Sequence, residues 1–158
     1  MRTKNVPPMY GVRGVKLPVR DLEATTRWYT RVLGWEPAME FPDEHGVVQG
    51  AAGRLPGQSP AGLAFRVNPA AAAQPGLELA VAIETKADLQ GWVEHLDREG
   101  VPHSPVIDAT VSWLVVVHDP DGHEIHLITH ETHGIDQTGR KGYGRPVPGA
   151  RYAFPGSA

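Results

Sequence analysis

From His118 to His130 the chain reads His-Asp-Pro-Asp-Gly-His-Glu-Ile-His-Leu-Ile-Thr-His, a run rich in imidazole and carboxylate. These groups bind divalent metals and move protons near neutral pH. Read as a strand, His123–His130 puts Glu124, His126, Ile128 and His130 on one face and Ile125, Leu127 and Thr129 on the other. The first face carries chemistry or meets water, and the second packs. Two more ionisable residues interrupt apolar strands. Glu78 opens Leu77–Ile83, where a buried and unpaired carboxylate is costly, so it meets a partner or lies at a wet strand end. Lys16 stands opposite Val15, Leu17 and Val19, placed to neutralise an acidic ligand group, to pair with Glu78, or to face solvent. If Glu78 and His126 converge, they form a carboxylate–imidazole pair suited to general base catalysis.

Other tempting residues have plainer explanations. Asp119 and Asp121 flank Pro120 ahead of Gly122, the composition of a tight turn. His130 and His133 are spaced three apart without a helix to fix their geometry. Trp28, Tyr29, Trp92 and Leu96 fall on helix faces that pack against sheet. Val111–His118 is apolar on both faces, so pattern alone does not set its register; in one register Trp113 offers a flat platform to an aromatic ligand. The loop Gly53–Pro60 has no lysine and opens no helix, unlike a phosphate cradle. The chain has no cysteine, which excludes thiolate nucleophiles and thiolate metal sites.

The elements that position these groups occur twice. Val12–Val19 alternates as a strand, and Asp21 caps a helix that Gly34 stops. Three short strands follow, in Trp35–Phe41, Val47–Ala52 and Gly62–Val67. Asn68–Gly76 reads as a linker. Then come the strand Leu77–Ile83, a helix Asp88–Glu99 with Leu89, Trp92, Val93 and Leu96 on one stripe, and the strands Pro105–Ala109, Val111–His118 and His123–His130. The second copy follows the first by about 64 residues. The expected division is a first βαβββ module at 10–68, a linker at 69–76, a second βαβββ module at 77–132 and a Gly/Pro-rich tail at 133–158. In the tail Tyr143, Tyr152 and Phe154 are candidate anchors.

Composition sets the remaining limits. The net charge of −3 and the absence of a Lys/Arg cluster argue against a nucleic-acid partner. No apolar run reaches the roughly 18 residues of a membrane span, and Met1–Pro8 lacks the apolar core of a signal peptide, so the expected location is the cytoplasm.

Three stretches carry a resemblance: Val-Lys-Leu-Pro-Val-Arg-Asp-Leu-Glu (15–23), Trp-Tyr-Thr-Arg-Val-Leu-Gly-Trp-Glu (28–36) and His-Asp-Pro-Asp-Gly-His-Glu-Ile-His-Leu (118–127). With the paired βαβββ modules they resemble the vicinal oxygen chelate superfamily, which includes glyoxalase I, extradiol dioxygenases and bleomycin-type resistance proteins. The resemblance implies an α+β fold of two modules forming a curled mixed sheet around a cleft, and a homodimer. It implies ligand positions at Gly14, Ala64, Glu78 and His126, where metal-using relatives carry His, Glu, His or Gln, and Glu. This chain departs at all four, and Gly14 and Ala64 have no donor. The expected cofactor is therefore none or a weakly held divalent metal at Glu78 and His126, and an extradiol dioxygenase is disfavoured. Two functions remain open. One is a lyase or isomerase acting on a small organic molecule, with His126 as acid/base, Glu78 as its orienter or as metal ligand, and Lys16, Glu124, Trp113 and His130 toward the ligand. The other is a non-catalytic protein that sequesters an antibiotic or other small molecule.

Overall fold

The computed structural model describes residues 12–57, 61–74, 77–137, 140–141, 144 and 148–149. The chain divides into two compact units between Gln74 and Pro75. The first contains β1 (Gly14–Val19), α1 (Leu22–Leu33), β2 (Glu36–Pro42), β3 (Val48–Arg54), β4 (Gly62–Val67) and α2 (Pro69–Ala72). The second contains β5 (Glu78–Ile83), α3 (Lys86–Arg98), β6 (Ile107–Asp108), β7 (Ser112–His118) and β8 (Glu124–Thr132). Both sheets are mixed and share one topology, β1-β4-β3-β2 and β5-β8-β7-β6, in which only β1–β4 and β5–β8 are parallel.

Local chemistry sets the helix ends. The Asp21 carboxylate accepts from the Ala24 N–H at 3.0 Å, and Gly34 closes α1 in the left-handed region, with φ 71°. Tyr29, Val32 and Leu33 of α1 are buried with Leu17, Leu63 and Phe65 of the sheet. The Phe65 ring lies 4.6 Å from Tyr29 and 5.2 Å from Trp35, and Trp35 Nε1–H donates to Leu63 O at 2.9 Å. In the second unit Leu89 and Leu96 of α3 are buried with Val115, Val117, Ile125 and Leu127.

Three details depart from the sequence reading. Where a linker is expected, Pro69–Ala72 forms one helical turn, because Asn68 caps it and proline suits the first helical position. The second long helix begins at Lys86 rather than Asp88, since Thr85 and Asp88 form a capping box that places Asp88 at the third helical position. The strand expected at Pro105–Ala109 shrinks to Ile107–Asp108. Pro105 has no N–H to give the ladder, and the Ser104 hydroxyl takes the Val116 N–H at 2.8 Å.

Just before that strand, His103 Nδ1 meets Ser104 O at 2.6 Å and Nε2 meets Asp97 Oδ1 at 3.0 Å, tying the loop to the last turn of α3. After β8, the Val111 carbonyl accepts from the His133 N–H at 3.1 Å, and Ala109 O accepts from His133 Nε2 at 2.8 Å and Gln137 Nε2 at 3.1 Å. The start of the expected tail is thus docked on the β6–β7 loop; Tyr143, Tyr152 and Phe154 lie outside the described residues.

Candidate functional site

A tight turn sets the register of the second sheet. The Asp119 carboxylate accepts from the backbone N–H groups of Asp121 and His123, both at 2.9 Å, and the Gly122 N–H donates to Asp119 O at 3.0 Å. Gly122 takes φ 87°, a conformation that glycine adopts without strain. The two aspartates are therefore turn builders. The turn sets His118 opposite Glu124, and the strands then align three rows on one face: Glu78–Glu124–His118, Ala80–His126–Val116 and Ala82–Ile128–Leu114. Ile125, Leu127, Val115 and Val117 alternate with them and are buried. The exposed face is polar at one corner and apolar beyond it.

At that corner His126 Nε2 and Glu124 Oε2 are 3.0 Å apart, and His118 Nε2 stands 3.6 Å from the other carboxylate oxygen. The His126 side chain is about a quarter exposed, at 24%. The hydrogen bond from His126 draws the Glu124 carboxyl below its usual range; desolvation opposes this, and the charges of His126 and His118 reinforce it. Glu78 is the register partner of Glu124. Glu78, Glu124 and His126 each bring one ligand atom to a group whose members all lie within 4.8 Å of one another. The expected pairing of Glu78 with His126 is thus a group of three, in which the imidazole bonds to Glu124.

The other candidates lie elsewhere. His130 is exposed, four residues beyond His126 on β8. Trp113 sits at a bulge in β7 under Lys86 Nζ, 4.5 Å from the ring centroid, with the His133 ring 5.8 Å away. Lys16 is exposed in the first unit, in register with half-buried Ala64. Gly14 faces Gly62 so closely that a Cβ would stand 2.9 Å from the Gly62 carbonyl oxygen. No side chain fits there without moving the strands. Sequence reasoning missed His118, whose one signal is the turn that sets it across from Glu124.

Two carboxylates and an imidazole suit a catalytic divalent metal, which commonly takes three protein ligands and leaves positions for water or substrate. The donors at this corner fit such an ion in type and number.

Residues 11–127 match the family model of the Glyoxalase/Bleomycin resistance protein/Dioxygenase superfamily. Among solved structures, the chain is similar to a glyoxylase/bleomycin resistance protein/dioxygenase domain from Frankia sp. EAN1pec, with 25% identity and TM-score 0.61 over 77% of this chain and 98% of that one. It is also similar to TnmS3, an antibiotic binding protein from Streptomyces sp. CB03234, with 20% identity and TM-score 0.63 over 78% and 98% of the chains. Lactoylglutathione lyase from Agrobacterium tumefaciens gives 17% identity and TM-score 0.63 over 82% and 100%. No protein of curated function matches the sequence.

Proposed function

The chain belongs to the Glyoxalase/Bleomycin resistance protein/Dioxygenase superfamily, and from that premise we propose that it binds a small organic molecule at the Glu78–Glu124–His126 corner and moves a proton on it, in lyase- or isomerase-type chemistry. The observation that carries this reading is the 3.0 Å contact between His126 Nε2 and Glu124. Because an ionised carboxylate only accepts, Nε2 carries the proton and Nδ1 keeps its lone pair. Nδ1 has no partner among the described residues, so it is the atom that takes a proton from the substrate. Glu124 then stabilises the imidazolium, and Glu78 adds a second negative charge nearby. The apolar rows with Ala80, Val116, Ile128 and Leu114 receive the body of the molecule. A divalent metal held by Glu78, Glu124 and His126 would take up the imidazole lone pair in place of the substrate proton, and would act instead by polarising a substrate oxygen.

The test follows hydrogen–deuterium exchange at the α-carbon of a small α-hydroxyketone by NMR. Wild type should catalyse exchange, and His126→Asn should lose about 10²-fold or more. Equal rates in the two proteins would overturn the assignment.

A second reading, sequestration without turnover, is favoured by the closed approach of Gly14 to Gly62, which denies the first strand any donor. It requires a ligand whose affinity is the same in wild type and His126→Asn. Either reading has the protein acting in the cytoplasm as a homodimer; a monomer in sedimentation at micromolar concentration would remove the dimer.

A further inference from the structure

α1 leaves part of the helix side of the first sheet uncovered. Toward the edge strand β2 a groove of about 470 Å³ opens between them. Thr26, Arg27, Thr30 and Arg31 of α1 form one wall, Pro37 and Glu40 of β2 form the other, and Trp35 and Ala51 form the floor. Both floor residues are buried, at 2% and 5% exposure. Ala52 stands in register with Ala64, so its neighbour Ala51, and Glu40 in register with Ala51, belong to the opposite face. The groove therefore shares no wall with the face that carries Lys16 and Ala64.

The floor is fixed in place. Trp35 Nε1–H donates to Leu63 O at 2.9 Å, and the indole lies against Gly53, where a Cβ would stand 2.8 Å from Trp35 Cε2 and Cζ2. In the second unit the corresponding strip is covered by the chain itself: Val101 is buried, His103 bridges to Val117 of β7, and the His103 ring meets Asp97 of α3 at 3.0 Å. The charges around the groove are unequally spent. Arg27 pairs with Glu23 one turn earlier, and Arg31 is engaged as well. The Thr26 hydroxyl donates to the Glu23 carbonyl at 3.2 Å and keeps only its acceptor capacity. The Glu40 carboxylate has no hydrogen-bond or ion-pair partner among the described residues.

We propose that this groove binds a small primary ammonium compound with an apolar body. The ammonium pairs with Glu40, the Thr26 hydroxyl offers it a second acceptor, and the body lies over Trp35 and Ala51 against Pro37. An ammonium brings three donors and no acceptor, which suits walls whose unspent groups only accept. Both arginines are engaged, so an anion would have to displace an existing partner. The volume is that of a small-ligand site, and the apolar floor with few polar groups above it has the usual make-up of one. This site lies wholly within the first unit, on its helix side, and is independent of the Glu78–Glu124–His126 assignment.

Protonated phenethylamine titrated into the ¹⁵N-labelled full chain tests it, with phenethyl alcohol as the uncharged counterpart and hydrocinnamate as the anionic one. Expected are saturable shifts at the amides of Thr26, Glu40 and Ala51 and at the Trp35 indole N–H, and weaker binding of both counterparts. Pairs between exposed charges are weak, so Glu40→Gln should lower affinity for the amine about fivefold and leave that for the alcohol unchanged. Glu40→Lys should reverse the order of amine and carboxylate. Glu40 is exposed on an edge strand, so both variants should keep the amide spectrum of the folded protein away from the groove. His126→Asn should bind as wild type does, which separates this site from the proton-transfer corner. Shifts that fail to saturate, hydrocinnamate binding as tightly as the amine, or an affinity for the amine unchanged in folded Glu40→Gln would overturn the proposal.

Discussion

His103 is held between two acceptors, the Ser104 carbonyl and the Asp97 carboxylate, so both ring nitrogens must donate for both bonds to form. Those bonds, the one to Ser104 first, raise its pKa above the ordinary imidazole value. A group with a raised folded-state pKa stabilises the fold fully below its unfolded value and loses that contribution as pH climbs through the raised one. The urea midpoint is therefore expected to fall as pH rises from the acidic side of the imidazole range to the alkaline side. His103→Gln should flatten this slope, and an unchanged slope would show that His103 is not its source. His126 differs in that one ring nitrogen meets Glu124 at 3.0 Å and the other has no partner among the described residues. Sequence alternation already puts Glu124 and His126 on one face. It does not show that Glu124 rather than Glu78 bonds the imidazole, because that depends on side-chain rotamers within one strand. His118 is invisible for a related reason: it gains meaning only from the strand it faces.

α3 begins with a reciprocal cap: the Asp88 N–H donates to Thr85 Oγ1 at 3.1 Å, and the Thr85 N–H donates to Asp88 Oδ2 at 3.2 Å. Thr85→Ala should cost about 1 kcal/mol in chemical denaturation and leave the far-UV spectrum of the folded protein unchanged. A loss near zero would mean that other contacts hold the first turn, among them the 2.6 Å bond from the Lys86 N–H to Glu131. The helices and most strands were legible because their periods and end residues agree, as Asp21 and Gly34 do around α1. The short elements were not. The turn at Pro69–Ala72 is too brief to show a period, and the strand near Pro105 loses its ladder to the Ser104 hydroxyl, a tertiary contact that no local pattern announces.

At the scale of the whole chain, one topology is used twice with different chemistry on corresponding positions. In register, Glu78 beside Glu124 matches Gly14 beside Gly62, and Ala80 beside His126 matches Lys16 beside Ala64. If the acidic corner takes a metal, an ion at a hundredfold excess over its dissociation constant stabilises the chain by about 2.7 kcal/mol, or roughly 5–11 °C in Tm. Scanning calorimetry of chelator-stripped protein with added Mn, Ni or Zn should show that rise, and Glu78→Gln should abolish it. No shift with any of the three would exclude a stoichiometric ion.

The approach of Gly14 to Gly62 also bears on how a donor could arise on β1. Any side chain at position 14 meets a backbone oxygen before it can serve as a ligand, so a first substitution there damages the sheet and returns nothing. Only a wider β1–β4 spacing acquired beforehand would make a histidine at that position useful. A donor on β1 is therefore reached by two changes taken in order, the wider strand spacing first and the side chain second.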